Sequence, residues 1–175
     1  GRNRAYPARI GGPDGGMKIT DDWIRVEGVQ TVLHLLTDAG HQGLLVGGCV
    51  RNALIGAPVA DIDIATDAVP ERVIELAKAF GLKVVPTGID HGTVTIVINS
   101  EPHEVTTFRR DVATDGRRAT VAYATDIRED AGRRDFTMNA LYADADGRIV
   151  DPLNGLPDLQ ARRVRFVGDA DARIR

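Results

Sequence analysis

Two carboxylates one residue apart, Asp61 and Asp63 in "DIDIAT", stand in an otherwise apolar stretch that follows "LLVGG". The alternation predicts a strand with both acids on one face and Ile62 and Ile64 on the other. Side chains at i and i+2 lie about 7 Å apart along a pleat. Like charges so close raise each other's pKa unless a cation sits between them. A hard divalent ion such as Mg²⁺ takes oxygen ligands, keeps waters and binds substrate phosphates, so it fits such a pair. Glu104, in "HEVTTF", offers a third acid on a later strand able to lie beside the first. Three carboxylates on adjacent strands can hold two metals, one activating an attacking hydroxyl and one clamping a triphosphate. An acid pair alone, or Glu104 alone, is more often a solvated strand face, so the chemistry needs partners.

Gly47-Gly48 supplies one, between the apolar run and a helix beginning near Cys49. Glycine lets backbone approach a ligand, and a helix N-terminus offers free N–H groups to phosphates. Arg51 adds a forked cation in the first turn. A tight strand-to-helix turn is the bland reading. Neither GxGxxG nor GxxxxGK[ST] occurs here, so a dinucleotide fold and a Walker-type loop are unsupported. "RRDFTMNA" supplies the other partner: on a helix Asp135 and Asn139 share a face able to bond a ribose, with Arg133 and Arg134 reaching phosphates. The alternative is a polar face paired with Glu129 and Asp130.

The elements that must position these groups follow from periodicity. "TDDWIRVEGVQTVLHLLTDAG" predicts a helix with Thr20 as N-cap and Gly40 as its stop. "GLLVGG" predicts a buried strand, "CVRNALIG" a short helix ended by Gly56, and "VPERVIELAKAFG" a helix opened by Pro70 and closed by Gly81. "KVVPT", "TVTIVIN" and "HEVTTFR" predict strands, the last two joined by a hairpin across Ser100-Glu101-Pro102. Asp111 to Asp126 is polar and Arg-rich, hence a mobile loop, from which Arg109, Arg110, Arg117 and Arg118 could follow an RNA end or a triphosphate. "IREDAGRRDFTMNALYA" predicts a helix around a break at Gly132, "ADADGRIVD" a turn and strand, and "NGLPDLQARRVRFVG" a short helix and final strand. The fold class expected is mixed α/β (α+β), with a largely antiparallel second half.

The chain's 175 residues suffice for one domain, and 43% apolar with 27% charged residues is ordinary for a globular protein. A net charge of −3 announces no global basic field, although a local basic face is compatible with it. Cys49 is the only cysteine, which excludes a disulfide framework and a Cys-based zinc site; the four histidines lack ligand spacing. No apolar run reaches the roughly 20 residues of a membrane helix, and no signal peptide is visible, so a cytoplasmic setting is expected. Residues 1–16 read as a flexible leader or tag remnant, 17–168 as the catalytic unit and 169–175 as the start of a truncated further segment.

Together "LVGGCVRNALIG", "DIDIAT", "HGTVTIV", "HEVTTFR", "RRDFTMNAL" and "DPLNGLPDLQARRVRFVG" resemble the head domain of class II tRNA nucleotidyltransferases. These CCA-adding enzymes are allied to bacterial poly(A) polymerases within the polymerase-β nucleotidyltransferase superfamily. The resemblance implies that head's fold, with Asp61 and Asp63 binding Mg²⁺ and acting catalytically and Glu104 as third carboxylate. It implies that Gly48 and Arg51, beside Gly47, bind the incoming nucleotide. Arg134, next to Arg133, would contact nucleotide, while Asp135 and Asn139 would recognise its sugar. Asn52 departs from the family, which commonly has Asp there; an amide weakens any ion pair with a neighbouring Arg and should tune the site. The family's base-reading Glu-Asp-x-x-Arg motif is expected about where this chain stops.

The activity so implied is addition of CMP and AMP from CTP and ATP to a tRNA 3′ end. The RNA 3′-hydroxyl attacks the α-phosphorus in line and pyrophosphate leaves. Poly(A) addition is the nearest alternative, and a metal-dependent NTP-binding module without turnover is the alternative from another class. Cys49 reads as a packing residue.

Overall fold

A computed structural model describes residues 9–10, 17–113, 119–134, 139–153 and 157. The order is β1 (Arg9–Ile10), β2 (Met17–Lys18), α1 (Glu27–Asp38), β3 (Gly43–Val46), α2 (Gly48–Ile55), β4 (Asp63–Thr66) and α3 (Pro70–Ala79). There follow β5 (Lys83–Gly88), β6 (Thr93–Ile98), β7 (Glu101–Thr107), β8 (Arg109–Ala113), β9 (Ala119–Tyr123), α4 (Ile127–Gly132), β10 (Tyr142–Ala143) and β11 (Ile149–Val150). Seven strands form one sheet in the order β11-β10-β3-β4-β7-β6-β5, and within it only β4 and β7 run parallel. The expected mixed, largely antiparallel α/β architecture is the one observed.

The strand period divides the sheet into two faces. Leu45, Ile64, Val94, Ile96, Val105 and Ala143 line one face and pack with Val29, Val32, Leu33 and Leu36 of α1 and Val73 and Ala77 of α3. Each fully buried aliphatic side chain there contributes about 1.5–3 kcal/mol, so this is the main core. Leu44, Val46, Ala65 and Tyr142 line the other face and pack beneath Phe108, Ala124 and Ala131. Asp63 and Glu104 belong to that second face, since Tyr142 pairs with Val46, Val46 with Asp63, and Asp63 with Glu104.

Several expectations need correction. A 3-10 turn at Asp22–Arg25 precedes α1, and Val26, not Thr20, is the N-cap. The Gln30 amide donates to Ile24 O, tying that turn to α1. The β6–β7 hairpin turns at Asn99 and Ser100, both at positive φ (55° and 67°), so Glu101 and Pro102 lie in the strand. The segment expected as a mobile loop contains β8 and β9, paired antiparallel from Arg109↔Tyr123 to Ala113↔Ala119. Arg117 and Arg118 lie outside the described residues. Tyr142 and Ala143 are strand, not helix, because β3 offers them a ladder and both faces bury them. Arg9 and Ile10, assigned to the leader, pair with Lys18 and Met17. The final helix and strand expected in "NGLPDLQARRVRFVG" fall almost wholly outside the described residues.

Candidate active site

Strand β3 delivers the chain to Gly47, whose φ of +83° is left-handed backbone that favours glycine. Helix α2 starts at the next residue, and Val50 and Arg51 N–H groups both return to Gly47 O. Gly48 faces the Arg51 guanidinium, 3.4 Å from where a Cβ would stand. The glycine pair therefore forms the close strand-to-helix turn expected of it. Arg51 is fixed from two sides: its Nη1 donates to Asn139 Oδ1 at 2.7 Å and its Nε to Asn52 Oδ1 at 3.1 Å. Asn52 Nδ2 in turn donates to Pro58 O at 3.0 Å, tying the segment that leads into β4.

The acids sit at the open end of the second face. Asp63 is the first residue of β4 and pairs in register with Glu104 of β7, so the two carboxylates extend from neighbouring strands on the same side. Cα atoms so paired are about 4.8 Å apart. Asp61 precedes the strand instead of lying within it, and Asp61, Asp63 and Glu104 are all exposed. Burial, then the Asp61 charge, pushes the Asp63 carboxyl up, while Arg134 draws it down. Among the described residues, no three His, Cys, Asp or Glu side chains close to metal-ligating geometry. Cys49 is buried, its thiol 3.5 Å from Val46 O, and burial pushes it up to about 11, which suits packing.

The arginine pair lies past the end of a helix. Helix α4 closes at Gly132 with Arg133 as its C-cap, so Arg133 and Arg134 leave the helix axis there. Asp135 lies outside the described residues. Arg134 donates through Nε (3.3 Å) and Nη2 (3.1 Å) to Asp130 Oδ2 and stands 5.8 Å from the Tyr142 ring centroid. Arg133 Nε is 3.9 Å from Asp130 Oδ1. Asp130 is 2% exposed, whereas the sequence suggests only a partner on a polar face. A lone acid in "REDAG" carries no pattern that distinguishes it from its solvated neighbour Glu129.

Residues 44–165, most of the chain, match the Poly A polymerase head domain family. The CCA-adding enzyme of Oceanobacillus iheyensis is 46% identical over 145 residues, covering 82% of this chain and 35% of that protein. The Bacillus stearothermophilus CCA-adding enzyme, solved in complex with CTP, superposes with a TM-score of 0.65 at 37% identity, over 81% of this chain and 35% of that one. A tRNA nucleotidyltransferase solved with a primer tRNA and an incoming ATP analog gives a TM-score of 0.57 at 27% identity, over 80% of this chain and 45% of that one. The chain thus spans about a third of the length of the relatives it matches by sequence. On the family match, and with a seven-stranded sheet that sets Asp63 against Glu104 beside a glycine turn, the chain belongs to the Poly A polymerase head domain family.

Proposed function

We propose that this chain is the catalytic head of a CCA-adding tRNA nucleotidyltransferase, transferring CMP and AMP from CTP and ATP to a tRNA 3′ end. The observation that carries the reading is the β4–β7 register, which sets Asp63 beside Glu104, with Asp61 close enough for its charge to act on Asp63. Relatives named CCA-adding enzymes, one of them solved with CTP, support the choice of reaction over poly(A) addition.

The Asp61 charge helps push the Asp63 carboxyl up, a placement that a hard cation would relieve, and oxygen ligands suit Mg²⁺. Asp61, Asp63 and Glu104 would hold it. When bound, Mg²⁺ supplies positive charge that activates the attacking hydroxyl and offsets charge on the triphosphate. Gly47 makes the left-handed turn, its own N–H donating to Leu141 O, so that Gly48 and the start of α2 offer backbone N–H groups to phosphate oxygens; Arg51, braced by Asn139, adds a guanidinium at a set position. Arg134, whose charge acts on Asp63, and Arg133 next to it add cations, and Asp135 with Asn139 is assigned to the sugar. The 3′-hydroxyl attacks the α-phosphorus, the bond to the bridging oxygen breaks and pyrophosphate leaves, so these residues work by orientation and electrostatics. No described helix is long and apolar enough to cross a membrane.

The test is incubation with Mg²⁺, labelled CTP or ATP, and tRNAs lacking CCA, CA or the final A, with Asp61→Ala as blank. Addition of C, C and then A, absent from the blank, supports the proposal. Long A runs would transfer the chain to the poly(A) reading. Absence of NTP binding under every condition contradicts the site.

A further inference from the structure

A carboxylate removed from water needs strong donors to offset its desolvation. Asp130, 2% exposed, has them from three parts of the chain. Its Oδ1 accepts from the Arg109 backbone N–H at 2.9 Å, at the root of the β8–β9 hairpin. Its Oδ2 accepts from Tyr142 Oη of β10 at 2.6 Å and from Arg134 Nε and Nη2 at 3.3 and 3.1 Å. Tyr142 is itself pinned edge-on by Phe108, with centroids 6.4 Å apart and planes at 83°.

This arrangement restrains one guanidinium closely. Arginine carries about 2 kcal/mol of rotamer entropy, and here two hydrogen bonds and an aromatic face remove much of that freedom. Tyr142 shares a sheet row with Val46, Asp63 and Glu104, so the restraint is built on the same face as the carboxylates. The Arg133 and Arg134 side chains both approach this single acid, while Arg109 meets it through its backbone N–H and turns its guanidinium to His91 O. Arg109 Nε and Arg133 Nε are buried without hydrogen-bond partners.

Building on the nucleotidyltransferase reading, we propose that Asp130 is a positioning residue for nucleotide binding. Through its bonds to Tyr142 and Arg134 it keeps the Arg134 guanidinium beside the carboxylates, where the triphosphate binds, and it anchors the hairpin root at the same point.

The test measures CTP and CMP affinity, in Mg²⁺, for the unmodified chain, Asp130→Asn and Tyr142→Phe, with a melting curve for each. Partners that orient a metal-ligating side chain typically govern affinity by about tenfold or more, and an oriented guanidinium is expected on the same scale. Asp130→Asn is expected to weaken CTP by about tenfold and CMP much less, so that the CTP/CMP ratio falls. Tyr142→Phe should lower the ratio in the same direction by a smaller factor, and it decides the matter if Asp130→Asn does not fold. A purely structural Asp130 lowers the melting temperature and leaves the ratio unchanged, which overturns the proposal. If the unmodified chain binds no CTP, the nucleotidyltransferase reading fails and takes this one with it; if it binds CTP and the folded variants match it, this inference alone fails.

Discussion

Asn52 stands between one donor and one acceptor: Arg51 Nε–H donates to its Oδ1 while its Nδ2 donates to Pro58 O. A carboxylate there would strengthen the contact with Arg51 but present an oxygen to the Pro58 carbonyl. Asn52→Asp is therefore expected to destabilise by about 1 kcal/mol in urea unfolding, despite the added charge beside an arginine; a gain in stability would refute the bridging role. His103 is a second such residue. Its Nε2 is buried without a partner, and a Cβ on Gly28 would collide with its ring, so α1 packs directly on it. Burial lowers His103 below its ordinary value of 6.5, against a smaller opposing effect of Glu101. The unfolded chain then takes up a proton that the folded one refuses. Stability from this group is complete above the unfolded value and declines as pH falls toward the folded one. Thermal midpoints should drop as pH falls from about 7 to 5, and His103→Leu should flatten part of that slope.

The elements show which parts of the site could be read from residue types. Gly47-Gly48, helix α2 and the Asp61–Asp63 pair announce themselves because each depends on local rules: a left-handed turn, a helix N-terminus, a two-residue period. Asp61 falls outside its strand because β3, the antiparallel partner of β4, ends at Val46, opposite Asp63, and gives way to Gly47. The β8–β9 hairpin is not legible as strands in the sequence, since RRDVA and ATVAY are short and alternate too weakly to be seen without their pairing. Arg51–Asn139 and Asp130–Tyr142 are contacts of tertiary packing, and nothing in either local stretch encodes them. The β6–β7 turn belongs to this scale too. Asn99 and Ser100 both occupy positive φ, the two-residue turn for which Asn-Gly is the favoured pair. Ser100→Gly should stabilise by about 1 kcal/mol, checked by thermal melting; a loss would mean that the Ser100 side chain makes a compensating contact.

Across the whole molecule, one sheet face is spent on the main core and the other is shared between a small apolar cluster and the carboxylates. The candidate site thus lies on strands β3, β4 and β7, whose opposite face is the main core, with α2 starting beside it and the Arg134 charge acting on Asp63. Asp63 carries the cost of this placement. Its folded-state value is raised above 3.8, so its contribution to stability is fully present below that value and lost as pH rises through the folded value. At neutral pH the ionised Asp63 opposes folding unless a cation offsets its charge. The most direct measurement is the thermal midpoint of the unmodified chain and of Asp63→Asn at neutral pH, with and without Mg²⁺ and CTP. The account predicts that Asp63→Asn melts higher than the unmodified chain without metal, and that Mg²⁺ with CTP raises the midpoint of the unmodified chain alone. An equal rise in Asp63→Asn, or none in either, would contradict it.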